Sequence, residues 1–139
     1  MAAVNTYLNF NGNTEEAFNF YRSVFGGEFI MVQRMKDTPE PDKIPDGDKN
    51  KIMHIALPIG NNVLMGTDVM SFMPQVTFGT NSSICITPDS EEQAKKLFDG
   101  LSYGGQVGMP LEKMFWGALF GFFTDKFGVQ WMVNYEVKE

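Results

Sequence analysis

Apolar and polar positions alternate with period two in Val4-Asn5-Thr6-Tyr7-Leu8-Asn9-Phe10, which predicts a β-strand with two unlike faces. Leu8 and Phe10 lie on one face; Asn5, Tyr7 and Asn9 lie on the other. After the turn Asn11-Gly12-Asn13 the period changes. Ala17, Phe20, Tyr21, Val24 and Phe25 recur at helical spacing, with Asn13 placed to cap the helix and Glu16 to complete a capping box. Gly26-Gly27 ends it. Strands are predicted over 28–35, 51–59 and 63–68. Between the first two of these, 36–50 holds Pro39, Pro41, Pro45, five acidic residues and almost nothing apolar. That composition predicts a long solvated loop, or a lid or binding segment. Its Asp46-Gly47-Asp48 lacks the ligand spacing of an EF-hand loop, so a calcium role is set aside.

The order then repeats. A strand over 82–87 is followed by a helix with Asp89 at the cap, Glu92 in the box position, and Ala94, Leu97, Phe98 and Leu101 on its apolar face. Gly104-Gly105 and a short strand over 106–109 follow. The chain from Trp116 to Tyr135 reads as an apolar β-hairpin turning at Asp125-Lys126-Phe127-Gly128. Asn13 and Asp89 are 76 residues apart, the two helical sets 77, and the two glycine pairs 78. Thr67-Asp68 and Thr124-Asp125 read as ending strands at corresponding places. Each half is therefore β-α-β-β-β, an α+β fold in which a helix covers one face of each sheet. Leu8, Phe10, Ile84, Ile86, Trp131 and Val133 should face the helices. The opposite face should carry Asn5, Tyr7, Asn9, Val63, Met65, Thr67, Ser83, Cys85, Gln130, Met132 and Asn134. This polar and apolar mixture suits a partly solvated concave surface. One domain built from two modules, about 1–69 and 80–139, is expected.

Composition narrows the classes. With 139 residues, 43% hydrophobic and 20% charged, the chain is of ordinary globular type. A net charge of −6 with no basic cluster argues against nucleic acid and anionic membrane as partners. A single cysteine, Cys85, excludes an intramolecular disulfide. No charged-then-apolar leader opens the chain and no apolar run approaches membrane-spanning length, so a soluble cytoplasmic protein is expected. Ten methionines and a 14% aromatic fraction serve either a filled core or an adaptable apolar pocket.

The strings Thr6-Tyr7-Leu8-Asn9-Phe10-Asn11-Gly12-Asn13, Glu15-Glu16-Ala17-Phe18, Phe20-Tyr21 and Val24-Phe25-Gly26-Gly27, with Trp116-Gly117, Phe120-Gly121 and Asp125-Lys126-Phe127-Gly128-Val129-Gln130-Trp131, cover nearly the whole chain. Together with the tandem βαβββ order they resemble the vicinal-oxygen-chelate superfamily (glyoxalase I, bleomycin-resistance proteins, extradiol dioxygenases), and within it the PhnB-like branch. The resemblance implies a curved mixed-sheet cup with helices on its outer face, and a homodimer. It also implies a divalent metal that chelates vicinal substrate oxygens as a Lewis acid. The superfamily's ligand positions fall here on Asn5, Met65, Ser83 and Met132. Divalent metals of that chemistry want His, Glu, Asp or Gln, so no metal and no other cofactor are expected.

His54, the only histidine, is the candidate general base, with a satisfied structural or surface role as the plainer account. Cys85 has no histidine placed beside it by sequence, which weakens a nucleophilic role. Asp68 and Asp125 suit turn capping. Trp116 and Tyr7 could stack on a planar ligand or serve packing. The candidate ligand-binding residues are Asn5, Tyr7, Asn9, Met65, Ser83, Cys85, Trp116, Met132 and Asn134. The favoured function is metal-independent binding of a small molecule in the cup, as bleomycin-resistance relatives do. The alternatives are a metal-dependent lyase, isomerase or dioxygenase with an unconventional site around His54 and Asn5, and an assembly protein acting through its sheets. The residues leave open whether any reaction is catalysed.

Overall fold

A computed structural model describes residues 2–137. They fall into two compact units, divided between Thr77 and Phe78. The first contains β1 (Thr6–Phe10), α1 (Thr14–Phe25), β2 (Met31–Arg34), β3 (Ile52–Ile59) and β4 (Asn62–Asp68), with sheet order β1-β4-β3-β2. The second contains β5 (Ile84–Ile86), α2 (Glu91–Ser102), β6 (Gln106–Lys113), β7 (Ala118–Thr124) and β8 (Gln130–Glu136), ordered β5-β8-β7-β6. In each sheet the first strand pairs parallel with the last and the remaining pairs are antiparallel. The repeat read from spacing is thus a repeat of topology.

The period-two pattern sets which face is buried. Phe10, Ile55, Leu57 and Leu64 are buried with Ala17, Phe18 and Tyr21 of α1; Leu119, Phe123, Trp131 and Val133 are buried with Ala94, Leu97, Phe98 and Leu101 of α2. In α1 the seam is turned slightly from the predicted one, since Phe18 is buried and Phe20 only half-buried. The reason lies in β4. A Cβ added to Gly66 would stand 2.6 Å from Phe18 Cε1, so the missing side chain is the space the ring occupies. Gly121 leaves similar room for Phe98, at 2.8 Å.

Two buried carboxylates fix the ends of these elements. Asp68 Oδ1 accepts from Gly12 N, Thr14 N and Thr14 Oγ1 at 3.0, 3.0 and 2.5 Å, and Oδ2 accepts from Ile52 N at 2.8 Å. The expected Asn13–Glu16 capping box is absent, because Asn13 makes no side-chain cap bond and Asp68 supplies the acceptor from a distant strand. Asp125 Oδ1 accepts from Phe127 N and Val129 N at 2.8 and 3.0 Å; its Oδ2 takes the Trp131 indole N–H at 2.8 Å. The two aspartates do not correspond. Asp68 closes the last strand of its module, whereas Asp125 opens the β7–β8 hairpin turn. The Thr-Asp pair that both modules share therefore stands at the end of different strands, β4 and β7, and not at corresponding places. In α2 the cap is Ser90, whose hydroxyl accepts from Gln93 N at 3.0 Å while Gln93 Oε1 accepts from Asp89 N. The box is one residue later than Asp89–Glu92 would place it.

Other boundaries differ: β1 begins at Thr6 rather than Val4, and β5 spans only Ile84–Ile86 of the expected 82–87. β2 begins at Met31 rather than Glu28, and β6 continues to Lys113 through Pro110. A proline is tolerated in β6 because it is an edge strand with register shifts on either side of Met109. The polar 36–50 segment is also less free than its composition suggests. It forms three 3-10 turns, Met35–Asp37, Pro41–Lys43 and Asp46–Asp48, with Met35 and Asp48 buried. Asp48 pairs with Lys51 Nζ at 2.7 Å and accepts from Ser71 N and Oγ at 3.1 and 2.8 Å.

Replacing Asp68 with Ala leaves several buried N–H groups without an acceptor, and the expected loss is roughly 3 kcal/mol in a denaturant titration. An isosteric Asp68→Asn that costs nothing would contradict the capping role. For Asp48, the Lys51 hydrogen bond outweighs desolvation and, with Ser71, holds the carboxyl below its ordinary range. The folded state therefore takes up that proton less readily than the unfolded chain. The stabilisation is fully present above the ordinary carboxylate range and is lost as pH falls through the lowered value. The melting-temperature gap between the natural chain and Asp48→Asn should be widest near neutrality and shrink below about pH 4.

Candidate functional site

Each sheet leaves open the face its helix does not cover. In the first module this face is set by the pairing Tyr7↔Met65 and Asn9↔Thr67 between β1 and β4, and Gln33↔His54 between β2 and β3. Cross-strand partners share a face, so these side chains stand together. Tyr7 is 44% exposed, and its Oη lies 3.2 Å from His54 Nδ1 with the rings 5.7 Å apart. Asn5 is not free to ligate through its carbonyl: Oδ1 accepts from Val63 N at 3.0 Å, which ties the start of β1 to β4. Thr67 turns its hydroxyl to Met53 O at 2.7 Å, away from the face.

In the second module Cys85↔Met132 and Phe122↔Met132 place these three on one row of the open face, and Phe120↔Asn134 forms the next. Gln130 Nε2 donates to Ser82 O at 2.7 Å, tying β8 to the entry of β5 much as Asn5 does in the first module. At this end of the sheet lies a concavity of about 340 Å³, lined mainly by Ser83, Gln106, Gly108, Phe122, Thr124 and Gln130. Gly108 is required for its shape, since a Cβ there would stand 2.3 Å from the Phe122 ring. The lining offers hydroxyls, two amides and apolar groups, with the aromatic residues Phe122, Phe123 and Trp131 among them, and no charged side chain.

Of the residues singled out in the sequence, the structure brings Asn5, Tyr7, Asn9, Met65 and His54 to one open face, and Ser83, Cys85, Met132 and Asn134 to the other. Only Ser83 among them lines the concavity. Trp116 lies in the β6–β7 turn and packs on Phe120, with ring centroids 6.0 Å apart. Sequence reasoning missed Gln106, Gly108, Phe122 and Thr124. The available signal was alternation in β7: Phe123 faces the helix, so Phe122 and Thr124 must face away. Reading the 118–124 run as uniformly apolar hid it. Among the described residues no three His, Cys, Asp or Glu side chains gather at one point.

Comparison with known proteins gives a consistent picture. A family model described as 3-demethylubiquinone-9 3-methyltransferase matches residues 2–134. Protein YjdN of Escherichia coli K12 is 31% identical over 137 residues, covering 92% of this chain and 91% of YjdN. The crystal structure of protein PA1353 from Pseudomonas aeruginosa is 43% identical with a TM-score of 0.87, covering 98% of each chain. The PhnB protein of Bacillus cereus is 28% identical with a TM-score of 0.79, covering 96% of this chain and 99% of its own. A glyoxalase-related enzyme from Fulvimarina pelagi, 18% identical with a TM-score of 0.65, covers 97% of this chain and 88% of its own and shares the fold alone.

Because Cys85 is exposed on the open face, a disulfide exchange reagent should titrate one thiol per chain in the native protein, without denaturant. A thiol that reacts only after unfolding would show that this face is covered in solution.

Proposed function

This chain belongs to the PhnB-like family, and on that premise we propose that it binds a small uncharged molecule on the open face of its second sheet, without a divalent metal. The observation that carries the proposal is the 340 Å³ concavity walled by Phe122 and edged by Ser83, Gln106, Thr124 and Gln130. Binding sites of this size combine an apolar wall with a few placed polar groups. Gln130 commits its N–H to Ser82 and keeps its carbonyl oxygen for a ligand donor. The Phe122 face suits a planar or sugar ring. An anion would find no cationic side chain in the lining, and an ammonium no carboxylate.

The metal-free part of the proposal is supported by donor chemistry. The superfamily's ligand positions carry two thioethers, Met65 and Met132, with a hydroxyl, Ser83, and an amide whose oxygen already accepts a backbone N–H. Soft thioethers suit neither the hard nor the borderline divalent ions of that chemistry. These residues do not fit the metal. The contact between Tyr7 Oη and His54 Nδ1, at 3.2 Å, is the feature that favours a catalytic alternative, since it holds the imidazole in place on the open face.

Thermal-shift measurements against uncharged planar and sugar-like compounds test the proposal. At least one class should raise the melting temperature in a dose-dependent manner. Phe122→Ala should abolish the rise while leaving the unliganded melting temperature nearly unchanged, because that ring is 39% exposed. His54→Ala should leave the rise intact. Metal analysis of protein purified without chelator should find far less than one equivalent. A full equivalent of Ni, Zn, Mn or Fe, lost with an activity in His54→Ala, would establish the enzymatic alternative instead.

A further inference from the structure

Beyond the concavity, the open face of the second module carries a feature that its polar lining does not use. Met114 N donates to Ala118 O at 2.8 Å and Gly117 N to Met114 O at 3.0 Å, which closes a tight turn with Gly117 at φ +93°. Such turns favour Gly, Asn, Asp and Ser at their exposed positions. Here the two central residues are Phe115, 97% exposed, and Trp116, 55% exposed. Their rings stand perpendicular, at 88° with centroids 5.0 Å apart, and Trp116 leans on Phe120 at 6.0 Å and 63°. The fold gains nothing from holding Phe115 in water, yet the hydrogen-bonded turn fixes it there.

The surroundings of this aromatic corner are acidic. Glu112 pairs with Phe120 across β6 and β7, and Glu136 pairs with Ala118 across β7 and β8. Ala118 and Phe120 are two apart on one strand, so both carboxylates flank the same face. Both are exposed, and neither has an ion-pair partner among the described residues. The neighbouring Lys113 pairs with Leu119 and belongs to the other face. Ring faces carry partial negative charge and attract cations, most strongly when several rings converge and carboxylates stand behind them.

We propose that Phe115, Trp116 and Phe120, with Glu112 and Glu136, form a second binding site, for the methylated ammonium group of a small organic cation. Charge complementarity selects this occupant over a neutral apolar one: a hydrocarbon would use the rings and leave two carboxylates poorly hydrated beside it. A methylated ammonium uses both, and its diffuse charge costs less to desolvate than a primary ammonium. The site shares none of the concavity's polar lining, and adjoins it where the Phe120 ring packs on Phe122, centroids 6.3 Å apart.

Choline and its uncharged carbon isostere 3,3-dimethyl-1-butanol separate charge from shape. Trp131 is buried, so a change in tryptophan emission on titration reports Trp116, with Trp116→Phe as the control. Choline should give a saturable change, the isostere a response about tenfold weaker, and Glu112→Gln with Glu136→Gln a severalfold loss of choline affinity. Phe115→Ser should weaken choline binding while retaining the native circular dichroism, because the residue packs into no core. Equal responses to choline and its isostere, or a linear response without saturation, would overturn the proposal. So would a Phe115→Ser variant whose sedimentation mass halves, since a second copy of the chain would then be what covers the corner. Phe122→Ala also removes the ring that Phe120 packs on, so the Glu112 and Glu136 variants, at residues outside the concavity's lining, keep the two tests apart.

Discussion

A single buried carboxylate holds the first module together. Asp68 ends β4, yet its two oxygens reach the loop before α1, the first turn of α1 and the first residue of β3. Taking a carboxylate out of water is costly unless its lone pairs are filled, and here four donors fill them. The same acceptors are needed by the helix, whose first N–H groups have no partner of their own. The penalty of burial and the need for capping therefore offset each other. Asp125 does comparable work by other means, closing the β7–β8 turn and receiving the Trp131 indole. With their ends fixed, the sheets can leave one face open without losing register.

Much of this was legible in the chain. The two βαβββ modules, the buried faces and the open faces follow from periodicity, because a half-buried strand must alternate and a covering helix must present one seam. The PhnB-like strings identified the family, and the family comparison agrees. Local rules failed where a distant group intervened. Asn13 is a sound N-cap by sequence, but a residue 55 positions later supplies the acceptor. The Thr67-Asp68 and Thr124-Asp125 pairs look equivalent and occupy different strands of their modules. Loop 36–50 reads as solvent-exposed, and no local pattern reveals that Asp48 is buried against Lys51 and Ser71.

The concavity was the hardest feature to anticipate. Its lining comes from three strands of one module and the residue that leads into β5, and two of its members, Gly108 and Phe122, matter as a pair: the missing side chain at one makes room for the ring of the other. Neither residue looks functional alone. The positions suggested by the superfamily, Asn5, Met65, Ser83 and Met132, do lie on the open faces. Their donors are turned to structural bonds or are unsuited to hard cations. The proposed use of the open surface is therefore neutral hydrogen bonding and aromatic contact rather than chelation.

Backbone amide mapping by heteronuclear NMR, with an uncharged compound that stabilises the protein, tests that claim most directly. The largest shifts should cluster at Ser83, Gln106, Gly108, Phe122, Thr124 and Gln130, and should be unchanged by added Mg, Mn or Zn salts. Shifts centred instead on Tyr7, His54 and Met65, or appearing only when a divalent metal is present, would contradict it.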